Sequence, residues 1–264
     1  MAPIRSAVAR LLFHSGRIAD RFSRATVYLS AGARRLAEMQ ADTIRSWDAF
    51  YQTHPSHDSK LLPWEEEFVA RFVPDRAAVL VVGCGSGRDL VPLVERDCLV
   101  TGIDPSHTGL AIAERVLQTY NGSAKLIEGF FEDAAIGGAF DVVIFSYYSY
   151  ATVAMASRRI LALKKASSIL RPGGHVIVSH AAAISPPRAT LVRLGRMMGA
   201  LTRSDWRVEP GDLVSDNREP VPSLSLVHTF EEGELEREAA AANLRLVYRR
   251  VSGGNTVVAV MSPR

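Results

Sequence analysis

At 264 residues, with 47% apolar and 22% charged side chains, the chain is long enough to bury a full core and has the size of one large domain or one domain with appendages. No apolar run approaches the roughly 20 residues of a membrane-spanning helix, and the two cysteines, Cys84 and Cys98, argue against a disulfide framework and for a reducing, cytoplasmic setting. The formal charge of +3 is unevenly spread: residues 1–37 hold seven arginines and one aspartate, a net +6, which leaves −3 on the rest, so the basic balance does not indicate a nucleic-acid partner for the globular part.

Taken in order, Ile4, Val8, Leu11, Leu12, Ile18 and Phe22 fall on one face of a helix at about 100° per residue, and Arg10, Arg17, Arg21 and Arg24 fall opposite. Phe13 alone departs from the pattern. A basic amphipathic helix over residues 4–24 fits three roles: docking on its own domain as a lid, peripheral contact with an anionic membrane, or a transit peptide. A second helical pattern runs through Leu36, Met39, Thr43, Trp47 and Phe50, and Gln52 to Pro63 then breaks helix. Trp47 and Tyr51 are candidates to close over a bound cofactor and touch a substrate; packing their helix on the core is the other reading. Residues 1–63 thus read as an N-terminal helical extension and 64–264 as the main domain.

From Trp64 onward the pattern is regular. A helix over 65–72 precedes the apolar strand Ala78–Val82, and Gly83-Cys84-Gly85-Ser86-Gly87 turns into a helix beginning near Arg88. Leu99–Asp104 is a buried strand ending in a carboxylate, followed by a helix over 106–120 with Ser106 as its cap. Short strands follow at 125–127 and 141–146, then a long helix over 151–170 that Arg171-Pro172-Gly173-Gly174 stops, then a fifth strand over 175–179. Alternating strands and helices imply an α/β fold with a doubly wound, mostly parallel seven-stranded sheet. Residues 181–227 interrupt that rhythm as a lid-like insertion with a helix over 191–201 and a turn-rich remainder. A further helix starts near Phe230, and 244–251 with 256–261, joined at Ser252-Gly253-Gly254-Asn255, read as a hairpin that closes the sheet with an antiparallel C-terminal strand.

The glycine turn constrains the ligand. A dinucleotide fingerprint needs Gly-x-Gly-x-x-Gly, and Arg88 stands at its last position. Asp104, 21 residues after Gly83 at the end of the next strand, is placed to accept ribose hydroxyls. A nucleoside cofactor without a pyrophosphate, such as S-adenosylmethionine, fits both.

Val81-Val82-Gly83-Cys84-Gly85-Ser86-Gly87, Gly102-Ile103-Asp104-Pro105-Ser106, Phe140-Asp141-Val142-Val143 and Leu170-Arg171-Pro172-Gly173-Gly174 resemble, in order and spacing, successive motifs of the class I S-adenosylmethionine-dependent methyltransferases of small-molecule type. The resemblance covers about residues 65–180. It implies that Gly83, Cys84, Gly85 and Gly87 pass beneath the methionine portion, that Asp104 and Pro105 hold the ribose side, and that Ser146 lies at the cofactor. Phe130 stands where the family often has the aspartate that reads the adenine amino group, which leaves backbone groups, Phe131 packing or Glu132 as replacements.

Methyl transfer from a sulfonium needs the donor and acceptor held in line and water excluded. Ser146-Tyr147-Tyr148-Ser149-Tyr150 follows the fourth strand at the edge where such sheets bind ligands. It lacks the Asn/Asp-Pro-Pro-Tyr pattern of amide or nucleobase N-methyltransferases. Tyr147 is a catalytic candidate, and Tyr148 and Tyr150 are substrate candidates. His180, ending the fifth strand on the same edge, is the candidate base; His228 is a weaker substrate contact, and His54, His57 and His107 have only proximity to support them. No Cys-x-x-Cys or His-Glu-x-x-His spacing suggests a metal. The expected activity is methylation of an oxygen or nitrogen of a small-molecule acceptor. The alternatives are a membrane-associated enzyme with a lipid or quinone-like acceptor and a cofactor-binding scaffold without catalysis. The oligomeric state is open.

Overall fold

The computed structural model describes residues 2–54, 59–120, 122–181, 186–217, 221–252 and 255–264, and the side chains from residue 13 onward. His57, the Gly253-Gly254 turn and the side chains of Ile4, Val8, Arg10, Leu11 and Leu12 lie outside the described residues.

Strands β1 (Ala78–Val82), β2 (Leu99–Asp104), β3 (Lys125–Glu128), β4 (Phe140–Phe145), β5 (Leu170–Ala181), β8 (Leu244–Ser252) and β9 (Thr256–Pro263) form one sheet in the order β3-β2-β1-β4-β5-β9-β8. β1 to β5 pair in parallel, and β9 runs antiparallel to both of its neighbours. The expected doubly wound sheet is therefore present. All five residues of β1 are buried, as an uninterrupted apolar run between two helical layers requires. Helices α3 (Pro63–Phe72), α4 (Leu90–Val94) and α5 (His107–Thr119) cover the face that carries Val79, Val81, Val142 and Ile177. α6 (Ala156–Ser168) and α8 (Glu234–Ala241) cover the other, with Leu80, Val143, Val176 and Val178. Ser106 caps α5 as predicted, its hydroxyl accepting the Gly109 N–H at 2.9 Å.

Two expectations need correction. The long helix after β4 begins at Ala156, because Ser149–Thr152 forms a 3₁₀ turn and Met155 takes φ +68°, which interrupts an α-helix. The turn-rich part of 181–227 contains a two-stranded antiparallel sheet, β6 (Asp212–Asn217) with β7 (Ser223–His228), after α7 (Ala189–Thr202). The buried alternation Asp212, Val214 and Leu224, Leu226, His228 carries it.

The insertion and the N-terminal extension build one layer together. α1 (Ala2–Ala33) packs on α7 and β6, and α2 (Leu36–Thr53) packs on β7 and α5. The α1–α7 crossing is close: a Cβ on Gly32 would strike the Gly195 carbonyl, and one on Gly195 would lie 2.8 Å from Val208 Cγ2. Tyr28, Ala31, Met39, Val192, Trp206, Val208, Leu224 and Leu226 form the core of this layer.

Candidate active site

The turn after β1 lies at the carboxyl edge of the sheet. Gly85, at φ +50°, faces α2, and a Cβ there would collide with the Tyr51 hydroxyl. Gly83 and Gly87 serve packing instead: a Cβ on Gly83 would lie 2.6 Å from Ser149 Cβ, and one on Gly87 2.9 Å from Ala113 Cβ on α5. Of the three glycines expected beneath a ligand, Gly85 is the one that faces the covering helix. Cys84 points its thiol into the core against Gly102, and burial beside Asp104 and Asp89 pushes its pKa well up, so it offers the site its backbone alone.

Asp104 closes the turn. Its Oδ2 accepts the Gly85 N–H and its Oδ1 accepts the Ser106 N–H, both at 2.8 Å. Burial raises its pKa to about 6, against the lowering effect of those two N–H groups and with the help of Asp48. At neutral pH it is a fixed carboxylate whose oxygens each keep a further lone pair. Pro105 beside it is half-buried.

α2 is held over this point by Asp48, a residue the sequence did not single out. Asp48 Oδ1 accepts the Ser106 hydroxyl at 2.6 Å and the Thr108 N–H at 3.0 Å, placing a carboxylate at the start of α5. Tyr51 lies against Gly85 and Gly109, receives the Ser86 N–H, and stacks on Trp47 at 5.7 Å. Burial, with Asp104 adjacent, drives the Tyr51 pKa upward, which keeps the phenol protonated. Trp47 and Tyr51, expected to close over a bound cofactor, stand on the α2 face that meets the glycine turn, Tyr51 against Gly85 and Trp47 stacked on Tyr51.

On the other side, Arg88 binds Glu65 through both guanidinium nitrogens at 2.5 and 2.8 Å and Asp89 at 2.5 Å. Asp89 also accepts the Ser146 hydroxyl, and burial with Glu65 nearby raises its pKa. The Ser146 hydroxyl is thus committed to Asp89. Tyr147 and Tyr148, next in the chain, sit at φ +36° and +68°, uncommon for bulky residues, at a cost of order 1–3 kcal/mol each. Their rings stack at 5.0 Å; Tyr147 is 55% exposed, and Tyr148 shares a hydrogen with Thr256 at 2.6 Å.

The structure separates His180 from these tyrosines. The Tyr148 N–H donates to Ser179 Oγ at 3.2 Å, and the next residue along a strand points to the opposite face, so His180 turns toward Phe230 at 4.7 Å. Burial lowers its pKa, leaving a neutral imidazole at neutral pH. Tyr150 is wholly buried, gives its hydroxyl to Glu238 at 2.6 Å and stacks on Phe230, which corrects its placement as a substrate contact. His228 is likewise structural: it is 2% exposed and bridges Asp212 at 2.7 Å and Glu234 at 3.0 Å. Phe131, 2% exposed, packs its ring edge-on with Phe145 inside the core, and Glu132 contacts Arg158 at 3.4 Å, so neither side chain stands free at the turn. His107 pairs with Glu128 at 2.9 Å, and exposed His54 stacks on Phe50 at 4.5 Å.

Residues 79–174, which span the turn, Asp104 and the Arg171–Gly174 stop, match the family described as a methyltransferase domain. That span carries a methyltransferase domain. A curated relative, a cypemycin N-terminal methyltransferase from Streptomyces sp, is 29% identical over 100 residues, which cover 38% of this chain and 40% of the relative. The methyltransferase CcbJ of Streptomyces caelestis shares its fold with a TM-score of 0.60 at 16% identity, over 81% of this chain and 95% of that one. The glycopeptide N-methyltransferase MtfA, solved with S-adenosylmethionine, aligns with a TM-score of 0.55 at 16% identity, over 75% and 92%. The chain's own residues fit that cofactor: a buried carboxylate with spare lone pairs stands at the end of β2, beside the glycine turn.

Proposed function

We propose that the protein transfers the methyl group of S-adenosylmethionine to a nitrogen or oxygen of a small-molecule or peptide acceptor. The observation that carries this reading is the Asp104 carboxylate, fixed by Gly85 and Ser106 directly under the α2 cover. When bound, the cofactor supplies an electrophilic methyl on sulfur. The chain's part is to bind and orient: Asp104 takes the ribose hydroxyls, Tyr51 and Trp47 exclude water above Gly85, and Tyr147, exposed after β4, contacts the acceptor. His180, neutral and at the same sheet edge, is the group able to take a proton from the acceptor. The names of the cypemycin enzyme and of MtfA support a nitrogen acceptor. Calorimetric titration with S-adenosylmethionine and S-adenosylhomocysteine tests the cofactor assignment: saturable binding is expected, and Asp104→Ala abolishes it. Retention of full affinity in that variant would overturn the role of Asp104. Transfer of labelled methyl across an acceptor library then tests the activity.

A second reading, peripheral contact with an anionic membrane, is favoured by one observation. Every residue from Phe13 to Phe22 on α1 is exposed, including Ile18 at 54% and Phe22 at 70%. At about 100° per residue, the docked Ala31 lies on the other side of the helix from Ile18 and Phe22, while the docked Tyr28 is turned about 80° from Ile18 and about 120° from Phe22. Docking of α1 therefore leaves Ile18 and Phe22 uncovered, with Arg17, Arg21 and Arg24 on the same segment. No helix among the described residues is long and apolar enough to cross a membrane. Flotation with phosphatidylglycerol vesicles, lost on Ile18→Ser/Phe22→Ser and absent with phosphatidylcholine alone, is the expected result; equal flotation of the variant would end the idea.

A further inference from the structure

At the carboxyl end of β5 the structure holds a cavity of about 280 Å³, between the start of α8 and β8. It shares an edge with the glycine turn, two strand spacings away in the order β1-β4-β5, roughly 10 Å. Its volume is that of about nine waters at a share of about 30 Å³ each, near the small end of ligand pockets. The walls are His180, Phe230, Leu235, Glu231, Glu232, Glu236 and Arg249.

The polar groups on these walls are nearly all acceptors. His180 is 5% exposed, and its Nδ1 lies 3.0 Å from the Ala181 carbonyl, which can only accept. Nδ1 therefore carries the hydrogen of the neutral ring, and Nε2 presents a lone pair that has no hydrogen-bond partner among the described residues. A nitrogen so far buried with an unused lone pair costs free energy unless a donor meets it. The three glutamates add acceptor-only carboxylates, and the one cation on the wall, Arg249, stands 4.0 Å from Glu236 alone. The start of α8 does not account for Glu231 and Glu232: the exposed N–H of Glu231 is already met by Glu234 at 2.9 Å, and both residues precede the helix. Phe230 and Leu235 supply the apolar remainder.

An acceptor-lined, net negative cavity with an apolar floor selects a ligand that donates hydrogen bonds, carries positive charge and has a hydrocarbon body. We propose that this cavity binds a protonated primary or secondary amine, its N–H groups directed to His180 Nε2 and to the carboxylates of Glu231, Glu232 and Glu236. The amine belongs to the methyl acceptor, a step that rests on the methyl-transfer reading above. It narrows the acceptor from any nitrogen or oxygen compound to one bearing an aliphatic amino group.

The test uses the full chain and 2-phenylethylammonium as probe, with 2-phenylethanol and 3-phenylpropionate as neutral and anionic counterparts. Calorimetry is expected to show saturable binding of the ammonium and none of the other two. Binding should weaken tenfold or more in Glu231→Gln/Glu232→Gln/Glu236→Gln, whose substituted side chains are on the surface, with an unchanged circular dichroism spectrum. His180→Phe should weaken it independently. Equal binding of ammonium and alcohol, or full affinity in the triple variant, overturns the site. S-adenosylhomocysteine is titrated in parallel: if it binds and the ammonium does not, the amine site fails and the methyl-transfer reading stands. If the ammonium binds and S-adenosylhomocysteine does not, the methyl-transfer reading fails and the cavity is an amine site of another kind.

Discussion

Asp48 on α2 accepts the hydroxyl of Ser106 at 2.6 Å, and through that bond the N-terminal extension is tied to the residue that caps α5 and borders Asp104. The same carboxylate takes the Thr108 N–H at 3.0 Å, so Asp48, together with Tyr51 against Gly85, holds α2 onto the glycine turn and the start of α5. Asp48→Ala removes two charge-assisted bonds, each worth about 1.5–3 kcal/mol where a charged group is involved. Because the cover can fray without global unfolding, the expected loss is in cofactor affinity, on the order of tenfold or more, with a thermal midpoint shifted by only a few degrees. Calorimetry and thermal melting on the same samples separate the two effects.

Cofactor affinity should also depend on acidity. Asp104 has a pKa of about 6, raised chiefly by burial. Below that value it is protonated, and an oxygen that accepts from Gly85 or Ser106 and from a ribose becomes a donor. Affinity is therefore full at pH 7.5 and falls as pH drops through 6, by at most about tenfold per unit. Titrations with S-adenosylhomocysteine between pH 5 and 8 check this. Asp104→Asn is expected to be weak throughout and to lose that pH dependence.

The sheet was legible because its central strands, Ala78–Val82 above all, are buried on both faces and read as apolar runs; that span and Leu99–Asp104 match their predicted bounds. The cap at Ser106 was legible because it acts three residues on, and Asp104 because it ends a strand that follows the glycine turn and meets both that turn and Ser106. β6 and β7 were not: Asp212, Ser223 and His228 interrupt their buried faces with polar groups, and Asp212 meets His228 only across the hairpin, 16 residues on. Asp48 was invisible for the same reason, since its partners are 58 and 60 residues away. Tyr150 and His228 read as substrate contacts because they lie beside edge residues, and their side chains turned inward to Glu238, Asp212 and Glu234, which no local pattern announces.

Arg159 is a fully buried cation, held by Glu238 at 2.8 Å, with Glu234 at 3.5 Å, Glu209 at 3.6 Å and the Phe230 ring at 5.4 Å. Removing one partner of such a network leaves the others buried without compensation, typically at a cost of 3–5 kcal/mol. Arg159→Ala should therefore lower the urea midpoint strongly. Arg159→Ala/Glu238→Ala, which removes the carboxylate nearest to it, should be less destabilised than the sum of the two single changes. Additive losses would show that the pair does not act as a unit.

His228 joins the insertion to the main domain, since Asp212 opens β6 and Glu234 opens α8. Burial pulls its pKa down, but the hydrogen bonds to Asp212 and Glu234 outweigh that and raise it to about 9, with Arg159 at 3.3 Å opposing. The imidazolium form thus donates through both nitrogens in the folded state. A folded pKa of about 9 against an ordinary value of 6.5 means that the folded chain binds this proton more tightly than the unfolded one. The stabilisation is complete below pH 6.5 and drains away as pH rises through 9, with a full size of order 3 kcal/mol at 1.36 kcal/mol per unit. Urea unfolding followed from pH 6 to pH 10 should show a declining midpoint. His228→Gln, which cannot hold the charge, should start lower and decline less, so that the two curves converge near pH 10. Parallel curves would mean that the proton on His228 contributes nothing to joining the two parts.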